Sequence, residues 1–221
     1  MRHHYRLPPR LHLSLASTLL LLALTATPHA ASLAADTGAA AIKGFRGADF
    51  GMTEPQVRTA IPSGLDVAVS AIHASKNPVQ KTEVLTVDAP NLLPNGGTAQ
   101  VSYVFGYRSH KLIEVNILWS RATDPKLTLA QIERDGAALQ GYFQAEGFPT
   151  DRTAGNLAIP GGLLLFRTND KAGHAIVLVL SGTVTKNPKT GSAALAPTGL
   201  SLAYAADPAH PDVFALKPGS F

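Results

Sequence analysis

Apolar positions fall at helical spacing twice along this chain and alternate like strands between and after. In Lys43 to Ile61, KGFRGADFGMTEPQVRTAI, a short extended stretch and a glycine turn lead into an amphipathic segment. Thr53 with Gln56 three residues on makes an S/T-x-x-E/Q capping box, and Met52 and Val57 hold the two positions of a hydrophobic staple. Glu54 meets the positive end of the helix dipole, and Pro55 is tolerated that early. Val57, Ala60 and Ile61 form the apolar face, and Pro62-Ser63-Gly64 reads as the stop. Seventy-five residues after Thr53 the pattern returns as Leu127-Thr128, Gln131 and Ile132. Ile132, Leu139, Tyr142 and Phe143 share a face there. Gly147-Phe148-Pro149 ends this second helix, with Phe148 placed to touch Phe143.

Alternation with period two marks the strands. It runs through residues 65–75 and 79–87, and most clearly through 99–119, where Val101, Tyr103, Phe105 and Tyr107 share a face. Ile113, Val115, Ile117 and Trp119 alternate in the returning arm, with Glu114 and Asn116 opposite. Arg108-Ser109-His110-Lys111 forms the hairpin tip. Residues 163–168, 174–181 and 200–204 complete the strands, with loops at 88–97 and 186–192. The order predicts an α+β fold of two helix-plus-antiparallel-strand modules, α-βββ and α-βββ, with both helices on one face of an antiparallel sheet. Residues 43–206 are then one domain, divisible into 43–122 and 123–206. Two helices capped independently would give the same repeat at the caps. The segment 207–221, with Pro208, Pro211 and Pro218, reads as an irregular surface tail pinned by Val213, Phe214 and Phe221.

The chain begins with a targeting pattern. Arg2, Arg6 and Arg10 lie in a basic region, residues 13–26 are an apolar run, and Ser32-Leu33-Ala34 offers a cleavage site. Cleavage after Ala30 is the poorer alternative, because it puts Pro28 at −3. Residues 1–34 are read as a signal peptide and 35–42 as a flexible lead. The run is shorter than the ~20 residues a spanning helix needs. This changes the charge argument. The 19 Lys and Arg against 15 Asp and Glu fall to 16 against 15 once those three arginines leave. A near-neutral remainder gives no nucleic-acid footprint. Cysteine is absent, so there is no disulfide framework, no thiol chemistry and no cysteine-borne lipid. The expectation is a periplasmic or secreted, soluble protein without a stable membrane anchor after cleavage.

Phe50-Gly51-Met52-Thr53 leading to Val57, followed by antiparallel strands, resembles the G-M-[ST]-x-x-x-V opening of small exported α/β modules. These include the outer-membrane assembly lipoproteins of the SmpA/OmlA (BamE-like) group and the tandem-module β-lactamase inhibitor proteins. The resemblance covers residues 43–119 directly and 127–204 through the repeat. This chain lacks the lipid-bearing cysteine of the first group and the cysteines of the second. The resemblance implies a shared fold, which does not fix function.

Motifs for catalysis are missing. His73, His110, His174 and His210 are scattered without metal-ligand spacing. No G-x-S-x-G or S-x-x-K motif occurs, and Gly96-Gly97 and Gly161-Gly162 lack phosphate-loop spacing. No carboxylate pair stands out, and no metal or cofactor is implied. Binding is better served. Tyr103, Tyr107, Arg108, His110 and Lys111 are the candidate contact residues, since Tyr and Arg anchor interfaces, whereas Phe105 and Trp119 read as core. The sequence therefore points to a non-enzymatic module that binds another envelope or periplasmic protein. The alternative is a small-molecule-binding protein or hydrolase with its site in the sheet concavity.

Overall fold

The first helix, α1 (Glu54–Leu65), starts at the Thr53 cap. The Gln56 side-chain oxygen accepts from the Thr53 amide at 2.8 Å and from its hydroxyl at 2.9 Å. The computed structural model describes residues 41–186 and 193–216 together with Gly219. The expected signal, residues 35–40 of the lead, Phe221 and most of the 186–192 loop lie outside the described residues. The lead also ends earlier than expected, because Ile42 is buried and its amide donates to Asp170 Oδ2 at 3.0 Å.

Contrary to the sequence reading, α1 does not stop at Pro62. It runs on until Asp66 turns left-handed, with φ of 55°. Val57, Ile61 and Leu65 recur every four residues, and all three are buried. Burying Leu65, worth about 2 kcal/mol, together with the Asp66 amide closing on the Pro62 carbonyl, offsets most of the ~3 kcal/mol that a proline inside a helix costs. The alternation expected over 65–75 is thereby pre-empted. A 3-10 turn follows at Val69–Ala71, leaving Val69 exposed. The second helix, α2 (Leu129–Ala145), carries the full reciprocal box. Thr128 Oγ1 accepts from the Gln131 amide at 3.2 Å, and the Gln131 side chain accepts from the Thr128 amide at 2.9 Å. Gly147 ends the helix region with φ of 74°. Phe148 and Phe143 both lie against Phe166, at 6.2 and 5.5 Å between centroids.

Among the described residues ten strands accompany these helices. β1 (Gly44–Phe45) and β2 (Ala48–Asp49) make a small hairpin. β3 (His73–Lys76), β4 (Glu83–Pro90), β5 (Thr98–Phe105), β6 (Leu112–Ser120), β7 (Leu157–Ile159), β8 (Gly162–Asn169), β9 (Ala175–Lys186) and β10 (Ala193–Ala205) form one eight-stranded sheet. Its spatial order is β3-β4-β5-β6-β10-β9-β8-β7, antiparallel throughout. Among the described residues four strands, not the three expected, follow each helix. The edge strands β3 and β7 are short, and β7 has no period-two run long enough to announce it.

Other boundaries moved for local reasons. Val79 is exposed rather than in a strand, because Asn77 Oδ1 accepts from the Val79 and Gln80 amides at 3.0 Å each and makes a turn. β10 begins at Ala193, well before Leu200. Pro197 interrupts its pattern but sits where the register against β9 shifts, and bulges tolerate proline.

One face of the sheet carries the core. Tyr103 stands across from Val115, Ile117 from Leu202 and Trp119 from Leu200. These residues cluster with Val57 and Ile61 of α1 and with Ile132 and Phe143 of α2. On the opposite face, Ser102, Asn116 and Ser201 are partly exposed, and Leu118 is 39% exposed. The fold is therefore α+β, with two helices and a dominant antiparallel sheet. Among the described residues no helix is long and apolar enough to cross a membrane.

Candidate functional site

The β5–β6 tip closes around Gly106 and His110. Gly106 donates to the Lys111 carbonyl at 2.8 Å, and His110, in the left-handed region at φ of 51°, donates to the Gly106 carbonyl at 3.0 Å. The chain's own tail then crosses this tip. Ala206 donates to the Ile113 carbonyl, Tyr107 to the Asp212 carbonyl and Phe214 to the Gln80 carbonyl, each at 2.8 Å. The Asp212 carboxylate accepts from the Ser109 amide at 2.8 Å and from the Arg108 amide at 3.1 Å. Three successive amides are thus satisfied from one residue of the tail, in the manner of a backbone nest around an anion. Partial burial pushes the Asp212 pKa up, but hydrogen bonds from the Ser109 hydroxyl and amide and the Arg108 amide, with the Arg108 charge, outweigh it. The net effect holds this carboxyl below the usual range. Gly106 permits the approach, since a Cβ there would overlap Asp212 Oδ2 and Ser109 Oγ.

Between tip, tail and sheet edge lies an open groove of about 770 Å³. Tyr107 and Phe214 form its apolar floor, meeting edge-to-face at 5.6 Å, with Val213 and Leu216 beside them. Lys76, Lys81, Arg108 and His110 line it. The Lys81 ammonium lies 5.1 Å from the Phe214 ring centroid, a cation–π geometry. Glu83 stands 3.9 Å from His110 Nδ1. Asp212 is turned inward onto the tip amides, so its charge is already committed.

Of the residues singled out in the sequence, Arg108, His110 and Lys111 are exposed at the tip, and Tyr107 is half-buried on Phe214. Tyr103 must be withdrawn. It is 1% exposed and packed in the core, and burial pushes its phenol far above the ordinary range, with Arg46 pulling slightly the other way. Period two placed it beside Tyr107, but the strand ends at Phe105, so the two side chains part company. Lys76, Lys81 and Phe214 were missed as site residues. Only the tail's aromatic pin hinted at them, because nothing local joins position 214 to position 107.

The remaining histidines are placed differently. His174 Nδ1 lies 3.1 Å from the buried Asp170, with its ring 5.1 Å from Phe50. His210 pairs with Asp207 at 3.4 Å on the surface, and His73 is exposed on β3. Among the described residues no group of three or more His, Cys, Asp or Glu is placed to hold a metal ion. No protein-family model, curated protein or solved structure matches the chain.

Proposed function

We propose that this chain is a soluble, exported, non-enzymatic module of the cell envelope that binds another envelope protein through the tip–tail groove. The observation that carries this reading is the groove's make-up: an apolar floor of Tyr107 and Phe214 ringed by Lys76, Lys81, Arg108 and His110. Aromatic and arginine side chains around a desolvatable floor are the usual anchors of protein interfaces. The excess of cations favours an acidic segment on the partner. The targeting pattern of residues 1–34 motivates the export part of the proposal, and the Gly51-Met52-Thr53 to Val57 motif motivates the kinship with small envelope modules. Tandem modules at 43–122 and 123–206, each a helix followed by four antiparallel strands rather than the three expected, belong to the same reading. Matching helix caps and a strand order mirrored about the β6–β10 pair support them. A Cα overlay of 54–120 on 129–205 that fails to match strand for strand would remove that duplication.

The test of function is to capture a partner from an envelope extract and measure its association with parent and Lys81→Ala/Arg108→Ala protein. Rim charges act mainly on association and its salt dependence. Association at low salt should fall roughly tenfold and lose much of its salt dependence. Unchanged association with the fold intact removes the groove from the interface, and turnover of a substrate by pure protein defeats the non-enzymatic reading.

A further inference from the structure

A second space, sharing no residue with the groove, lies between α2, the β1–β2 hairpin and the inner face of the sheet. It is a half-enclosed cavity of about 520 Å³, within the ~300–1,000 Å³ usual for small-ligand sites. Its inner wall is apolar: Leu139 and Phe143 from the helix, Ile176 and Leu202 from the sheet, all buried. Nearer the opening, Phe45, Leu93, Phe148 and Tyr204 pack on the core but remain partly exposed. Covering such surface is favourable, so a ligand with an apolar body gains here.

The mouth is charged. Among the cavity-lining residues, Lys43, Arg46 and Glu146 are exposed. Arg46 is held in place: Nη2 donates to the Leu92 carbonyl at 3.1 Å, and the guanidinium lies 5.6 Å from the Phe45 ring centroid. Its backbone, at φ of 47°, sits in the turn between β1 and β2. Glu146 accepts the Tyr142 hydroxyl, which raises the pKa of that phenol. Two cations thus line the cavity against one acid, whose carboxylate is hydrogen-bonded by Tyr142. We propose that this cavity binds a small amphiphile, with its apolar body against the inner wall and a single anionic head group at Lys43 and Arg46. The site is independent of the protein-binding groove.

Trp119, the chain's single tryptophan, lines the cavity and is 2% exposed. Its emission therefore reports on occupancy without a label. The probe is dodecanoate, added to the purified full chain below its micelle-forming concentration, with dodecanol and dodecylamine as neutral and cationic counterparts. A saturable change in Trp119 emission with one site per chain is expected. Ala138 is an exposed residue of α2 that lines the cavity, so Ala138→Phe plugs it from the surface and should weaken dodecanoate roughly tenfold or more. Ala138→Leu repeats the test with a smaller plug and a residue that helices accept well. Arg46→Gln should weaken dodecanoate about 3–10-fold and leave dodecanol unaffected. No saturable emission change, or full affinity in both plugged variants, overturns the site. Dodecylamine binding as tightly as dodecanoate, or an equal loss of dodecanol in Arg46→Gln, overturns the anionic head group.

Discussion

Two aspartates each fasten a segment outside the large sheet to a hairpin turn, one from within the core and one from the surface. Asp170 belongs to the β8–β9 turn and is 5% exposed. Its carboxylate accepts from the amides of Ala172 and His174 at 2.9 Å and of Ile42 at 3.0 Å. The turn thereby holds the leading segment against the core. Asp212 belongs to the tail, and its carboxylate reaches back to the β5–β6 tip. The chemistry is the same, a carboxylate accepting backbone amides, but the surroundings differ. At the Ile42 amide water cannot replace the bond to Asp170, whereas at the exposed tip it can. The first clasp is therefore part of the folded core. The second is a latch whose release alters the groove more than the fold.

The largest effect should come from the buried clasp. Asp170→Ala leaves the buried Ile42 amide without its acceptor, at about 1–3 kcal/mol, and removes the part-buried bonds from Ala172 and His174, at about 1 kcal/mol each. A loss of about 2–4 kcal/mol is expected, or roughly 4–16 °C in melting temperature for a domain of this size. Denaturant and thermal unfolding measure it. A loss below about 1 kcal/mol would mean that Asp170 is less enclosed than its neighbours imply.

That contrast also explains what could be read in the chain beforehand. Both helix starts and the 99–119 hairpin were legible because their signals are local: Thr53 with Gln56, Thr128 with Gln131, and strict alternation from Val101 to Trp119. The overrun of Pro62 was not, since it depends on where Leu65 finds its core. Short edge strands such as Leu157–Ile159 carry too few residues for a period. At the site, exposure of Arg108, His110 and Lys111 followed from their place in a polar turn. The groove did not follow, because it joins Lys76, Tyr107 and Phe214 through contacts across more than a hundred positions. Asp170 and Asp212 looked like ordinary turn and tail residues. Burial alone separates them, and burial is a property of the assembled sheet.

The exposed clasp gives the next effect. Asp212→Ala removes acceptors from amides that water can solvate, so the stability loss should be only about 1 kcal/mol. The tail, however, should come away and take Phe214 from Tyr107 and Lys81. Limited proteolysis should then cut within 206–216 faster than in the parent. Gly106→Ala approaches from the other partner, placing a methyl group against Asp212 Oδ2 and Ser109 Oγ. It should expose the same sites. Full protection of the tail in both variants would show that Phe214 and the backbone bonds hold it without the carboxylate.

The smallest effect is on pH, and its sign is set by the depressed carboxyl of Asp212. Burial raises that pKa, but the hydrogen bonds from Ser109 and the Arg108 amide, with the Arg108 charge, lower it further. A carboxyl whose folded pKa lies below its released value stabilises the latched state above the released value, about 3.9 for Asp. That contribution fades as pH falls through the folded pKa. The tail should therefore stay latched at neutral and mildly acidic pH and loosen only below about pH 4. The energy is small because the pair is screened by solvent, so a local probe is needed. The Ser109 amide resonance, followed from pH 6 to 2, should move in one step below about pH 4, and Asp212→Asn should abolish that step. Asp124 serves as the control. Its carboxyl is lowered by the Thr98 and Lys126 amides, so the Thr98 resonance should titrate in both proteins. A Ser109 step that persists in Asp212→Asn would assign the acid response to another group and leave the latch indifferent to pH.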